Sequence, residues 1–135
     1  MMLATVAACD SPYYEIEINN VGNRNIAIES LKWGDRETAA YPGGIRLSAI
    51  PTGHINRGLY GWQVDWRIPE LVTVVWRPEG LDPIHHEFEL RKHVSRAESY
   101  KDTIVLEFED SDLRVYTSPT NSRDPNARKL IVAVD

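Results

Sequence analysis

The sequence predicts an all-β fold, a two-layer antiparallel β-sandwich of about eight or nine strands with at most one short helix. Apolar and polar residues alternate with period two in short runs, the spacing at which a strand turns successive side chains to opposite faces. Clusters of Gly, Pro, Asn and Asp break these runs roughly every ten residues, too often for helices of ordinary length. At 135 residues, the chain has the size of one domain around a single core.

The elements follow in order. Tyr14, Ile16 and Ile18 alternate with Glu15, Glu17 and Asn19, and the run ends in the turn-forming stretch Asn19-Asn20-Val21-Gly22-Asn23. A strand from Ile26 to about Trp33 closes at Gly34-Asp35. Tyr41-Pro42-Gly43-Gly44 introduces a run from Ile45 to Ile50, which Pro51-Thr52-Gly53 stops. "WQVDWRIPELVTVVW" reads as a hairpin. Trp62, Val64, Trp66 and Ile68 share one face, Pro69-Glu70 fills a turn, and Leu71 to Trp76 returns as a central strand apolar on both faces. Ile84 to Leu90, Thr103 to Phe108, Leu113 to Thr117 and Leu130 to Val134 supply further strands, with one helical turn expected near Val94 to Tyr100. "SPTNSRDPNAR" at 118–128 reads as a loop before the last strand.

Composition narrows the function classes. A hydrophobic fraction of 42% and a charged fraction of 26% are those of a globular chain. No stretch approaches the roughly 18 apolar residues of a spanning helix. The net charge of −5 argues against a nucleic-acid ligand, since such modules gain affinity from clustered Lys and Arg. The single cysteine cannot form an internal disulfide.

The residues suited to chemistry do not assemble into a recognisable set. In "IHHEFEL", at 84–90, His86 falls on the face of Ile84, Phe88 and Leu90, whereas His85 falls on that of Glu87 and Glu89. The two histidines point apart. His85 and Glu87 could share a metal only with a further ligand from elsewhere, so no metal is expected. Nucleophile and phosphate-loop motifs are absent, and in "LEFEDSD" Glu107 and Glu109 alternate with core residues as a solvated face does. The expectation is a protein that binds rather than an enzyme, with no cofactor. Four tryptophans are many for this length; Trp62 and Trp66 are read as core-filling, with a surface platform as the rival reading. The loop "GHINRGLYGW" combines glycines, Arg57, Tyr60 and Trp62, and these three residues are the candidate partner contacts.

Cys9 opens a separate question. Val6-Ala7-Ala8-Cys9 sets an aliphatic residue three before the cysteine with small residues between, a pattern that resembles the lipobox of bacterial lipoproteins. The resemblance implies a diacylglyceryl thioether on Cys9 and cleavage just before it. Residues 1–8 are then a signal-peptide remnant, 9–12 a tether and 13–135 one β-sandwich domain. No Lys or Arg precedes the apolar run, which is the departure from the pattern, and the rival reading is a Met-initiated tail with an incidental free thiol. Asp10 after the cysteine resembles an inner-membrane retention signal, so the expected location is the periplasmic face of that membrane. Asp10, Ser11 and Pro12 would reach on the order of 10 Å.

"WRIPELVTVVW", from Trp66 to Trp76, adds a Trp-x-x-Pro-x-x-Val-x-Val-x-Trp cadence. Together with the lipobox, the length and the β-rich body, it resembles the periplasmic immunity lipoproteins of type VI secretion lipase effectors. That resemblance implies a protein partner, a secreted phospholipase that the chain would inhibit by binding. A structural lipoprotein of a secretion or envelope complex and a carbohydrate-binding lipoprotein are the alternatives.

Overall fold

The computed structural model describes residues 14–38, 44–50, 59–64, 66–94, 102–119 and 125–134, and of 59–63 and 125 the backbone only. Two β-sheets face one another across a shared core, so the all-β sandwich is the observed class. The strands are β1 (Tyr14–Asn20), β2 (Ile26–Trp33), β3 (Arg36–Glu37), β4 (Ile45–Leu47), β5 (Leu59–Val64), β6 (Leu71–Pro78), β7 (Ile84–Glu89), β8 (Asp102–Glu109), β9 (Asp112–Pro119) and β10 (Lys129–Val134).

The first sheet runs β10-β9-β8-β1-β5. In the second, β2 pairs β6 along one edge and shares its other edge between β4, at Ile26 to Ile28, and β3, at Lys32 and Trp33; β7 lies beyond β6. Among the described residues, pairing is antiparallel with one exception, because β1 and β8 run parallel. A parallel neighbour requires a long connection. Here the chain builds the whole second sheet between the two strands.

Alternation turns the expected faces inward. Tyr14, Ile16 and Ile18 are buried, as are Ile104, Leu106 and Phe108 of β8 and Leu113 and Val115 of β9. Trp76 is wholly buried; its ring meets Phe108 edge-on at 5.0 Å and stacks on His86 at 5.4 Å. Its indole N–H donates to the backbone oxygen of Asp110 at 3.0 Å, which satisfies the one polar atom that this large side chain brings inside.

Two expectations are corrected, and a third lies mostly outside the described residues. The stretch from Trp62 to Trp76 is not a hairpin: β5 pairs β1 in the first sheet, β6 pairs β2 and β7 in the second, and Trp66 to Pro69 lies between strands of different layers. β6 is central, as expected, but is covered on one side only. Val72, Val74 and Trp76 are buried, whereas Thr73 and Val75 are half-buried and Leu71 and Arg77 exposed. A short 3₁₀ turn occupies Arg91–His93, and the helical turn expected near Val94 to Tyr100 falls mostly outside the described residues.

Candidate functional site

Among the described residues, a concave surface of mixed chemistry forms where the chain passes from β5 to β6. It begins with a hairpin. Gly34 takes φ +65 at the first position of the two-residue turn between Trp33 and Arg36, a conformation the primed hairpin turns require and glycine adopts freely. A side chain there would also meet Cβ of Pro69 at 3.0 Å, so the hairpin tip packs directly on the connection that leads into β6.

Between this tip and the exposed side of β6 and β7 lies an open groove of about 750 Å³, lined by Trp33, Gly34, Asp35, Arg36, Trp66, Arg67, Pro69, Glu70, Leu71, Thr73, Glu87 and Arg91. A smaller hollow of about 380 Å³ continues it past Glu70, Leu71 and Arg91 to Glu89 and Lys92. Trp66 packs partly against the core, while the guanidinium carbon of Arg36 stands 4.8 Å from the centroid of its ring. That distance is a cation–π contact. Arg91 braces the far wall, its Nε donating to the backbone oxygen of Ile68 at 2.9 Å and its Nη1 lying 3.8 Å from Glu70. Leu71 is 43% exposed on the floor, an apolar surface beside the charged rim.

Trp33 ties the groove to the first sheet. Its Nε1 donates to the phenolic oxygen of Tyr14 at 2.7 Å, and Tyr14 opens β1. The groove therefore lies at the end of the sandwich where the described chain enters. Burial pushes the Tyr14 hydroxyl up to about 12, against smaller opposing effects of the Trp33 hydrogen bond and the Arg36 charge.

A second polar cluster covers the outer side of the first sheet. Arg128 lies 3.5 Å from Glu17 and 3.6 Å from Glu107, and Arg114 reaches Glu107 at 3.3 Å and also Glu109. Burial raises the Glu17 carboxyl above its usual range, against the pull of Arg128. Burial likewise raises the Tyr116 phenol, with the neighbouring Glu107 charge adding to it. Each cation here already holds carboxylates, so the cluster reads as a lateral brace across β1, β8 and β9.

The residues expected from the sequence fare differently. Cys9 and Arg57 lie outside the described residues. Tyr60 and Trp62 stand on β5, the edge strand of the first sheet, in register with Ile18 and Ile16 of β1. Trp66 is half-buried and lines the groove, which joins the two readings of it as core-filler and platform. Because Arg36 covers a face of its ring, a sugar would have to displace a guanidinium to stack there. His86 lies on the inner face against Trp76 and His85 is exposed on the outer, as the alternation implied. Among the described residues, no three His, Cys, Asp or Glu side chains come together in a way that could hold a metal.

Arg36, Leu71 and Arg91 were not singled out from the sequence. Their one local signal is Pro69, which interrupts an otherwise strand-like run and marks the connection they surround. No family model, no curated protein and no solved structure matches the chain.

Proposed function

We propose that this protein acts by binding, as a membrane-tethered periplasmic inhibitor of a secreted phospholipase, and that the groove around Trp66 is its contact surface. The observation that carries the reading is the pairing of a half-buried tryptophan and its stacked arginine with the exposed Leu71. Trp and Arg anchors beside an apolar side chain are a combination enriched at protein interfaces. In addition, the groove sits at the end of the domain where β1 begins, five positions after Cys9. With a lipid on Cys9, a tether of that length holds the groove close to the bilayer surface, where a phospholipase works. Tethering also concentrates inhibitor and target in two dimensions, so that modest contacts suffice.

Inhibition of any lipase encoded beside the gene tests this. The purified domain is expected to block the enzyme at a one-to-one ratio, and Trp66→Ala to release it. Full lipase activity in excess domain removes the reading, and mass spectrometry of the membrane fraction tests the lipid on Cys9 separately.

A further inference from the structure

Among the described residues, Arg77 holds Glu29, Arg91 lies 3.8 Å from Glu70, Lys92 holds Glu89, Arg114 holds Glu107 and Glu109, and Arg128 holds Glu17 and Glu107. Arg36 and Arg67 line the groove, and neither makes an ion pair with a carboxylate among the described residues. Arg36 is nonetheless held in place: it sits opposite Trp33 in the β2–β3 hairpin, and the Trp66 ring lies under its guanidinium. A guanidinium over an aromatic ring keeps its charge and N–H donors available, and a guanidinium can receive a carboxylate with two parallel hydrogen bonds.

We propose that the Arg36–Trp66 corner of the groove receives one Asp or Glu side chain of a protein partner, with Arg67 adding charge and Leu71 taking an apolar neighbour of that residue. This rests on reading the groove as a protein-binding surface. The other groups in the groove favour a single carboxylate over a polyanion. Asp35, Glu70 and Glu87 share its lining, and the chain as a whole carries −5. An anionic bilayer or a nucleic acid would press many charges against those three carboxylates, whereas one acidic side chain between neutral neighbours brings a single charge to the guanidinia.

Nuclear magnetic resonance titration of the full 135-residue chain tests this, following the side-chain N–H signals of Arg36 and Trp66. The probes are capped Gly-Glu-Gly, capped Gly-Gln-Gly, inorganic phosphate and phosphatidylglycerol vesicles. The Glu peptide is expected to shift both signals saturably, with the Gln peptide about tenfold weaker or more, as loss of a charge-assisted pair implies. Arg36→Gln abolishes the response and Arg36→Lys keeps part of it. An equal response to the Gln peptide, survival of the response in Arg36→Gln, or tighter binding of phosphate or vesicles overturns the proposal. Should Arg36→Gln unfold, the comparison of peptides on the parent chain still decides. With the lipase partner itself, loss of binding in Trp66→Ala but not in Arg36→Gln overturns this inference and leaves the protein-binding reading standing. Binding indifferent to both substitutions removes the two together.

Discussion

Trp33 and Tyr14 join the two sheets through one buried hydrogen bond, indole N–H to phenolic oxygen at 2.7 Å, with their rings 6.4 Å apart. Both side chains are 2% exposed, so neither polar atom has water as a substitute partner. Tyr14→Phe leaves the indole donor unsatisfied and is expected to cost about 1–3 kcal/mol in urea unfolding. The same pair sets an alkaline limit. Burial lifts the phenol from 10.0 to about 12, so the stability tied to its neutral form is complete below pH 10 and declines as pH rises towards about 12. The decline seen in the parent chain over that interval should be smaller in Tyr14→Phe; equal declines would show that Tyr14 does not cause it.

Glu17 gives a pH dependence at the acidic end. Its folded carboxyl is raised above 4.5 by burial, so protonation favours the folded state and ionisation at neutral pH works against it. Glu17→Gln should therefore be at least as stable as the parent at pH 7. The gap between the two should close as pH falls through the raised folded value towards 4.5, because the parent gains stability as Glu17 protonates. Arg128 keeps Glu107 as a partner in the variant. Thermal melts at a series of pH values measure the gap, and a variant clearly less stable at pH 7 would contradict the argument.

Gly34→Ala should damage both stability and the groove. Its φ of +65 is strained for alanine by about 1–2 kcal/mol, and the new methyl would crowd Pro69 at 3.0 Å. The expected result is a lower melting temperature together with altered Trp66 emission, since Pro69 and Trp66 line the same groove. An unchanged spectrum would uncouple the hairpin tip from the groove wall.

Asn20 clasps the loop that follows β4. Its Nδ2 donates to the backbone oxygens of Arg24 at 2.9 Å and Ser48 at 3.0 Å, with Leu47 at 3.4 Å, and its Oδ1 accepts from the Gly22 N–H at 3.1 Å. Asn20→Asp sets a carboxylate against those oxygens with no exposure to water, and is expected to cost about 3 kcal/mol or more at pH 7. The loss should shrink in acid, where the carboxyl protonates, sheds its charge and donates one hydrogen bond to these oxygens. A loss independent of pH would point to geometry rather than charge.

Much of the fold was legible in local pattern. β1, β6, β7, β8 and β9 fall on runs that alternate with period two and β10 on a mainly apolar run, whereas in β2 the alternation changes phase at the irregularity between Ile28 and Ser30; the opposite orientations of His85 and His86 followed from the same alternation. The two-residue β3 has too few residues to carry a pattern. Trp62 to Trp76 misled because Pro69-Glu70 is sound turn chemistry, and a turn of that kind joins either two neighbours in one sheet or two layers of a sandwich. The candidate site was less legible still. Arg36, Trp66 and Arg91 are separated along the chain by tens of residues, and no spacing rule relates them.

Alternation and turn residues are properties of a few consecutive positions, so the residue order alone settled that this chain is β, roughly where its strands lie and which side chains face inward. Which edges meet is a long-range matter. β1 accepts β8 in parallel and β5 in antiparallel because of where the chain returns after building the second sheet, and that pairing carries β5 and β6 into different layers. The crossing between them brings Trp66 under Arg36 and opens the groove, a consequence of three-dimensional packing that no local stretch of sequence encodes.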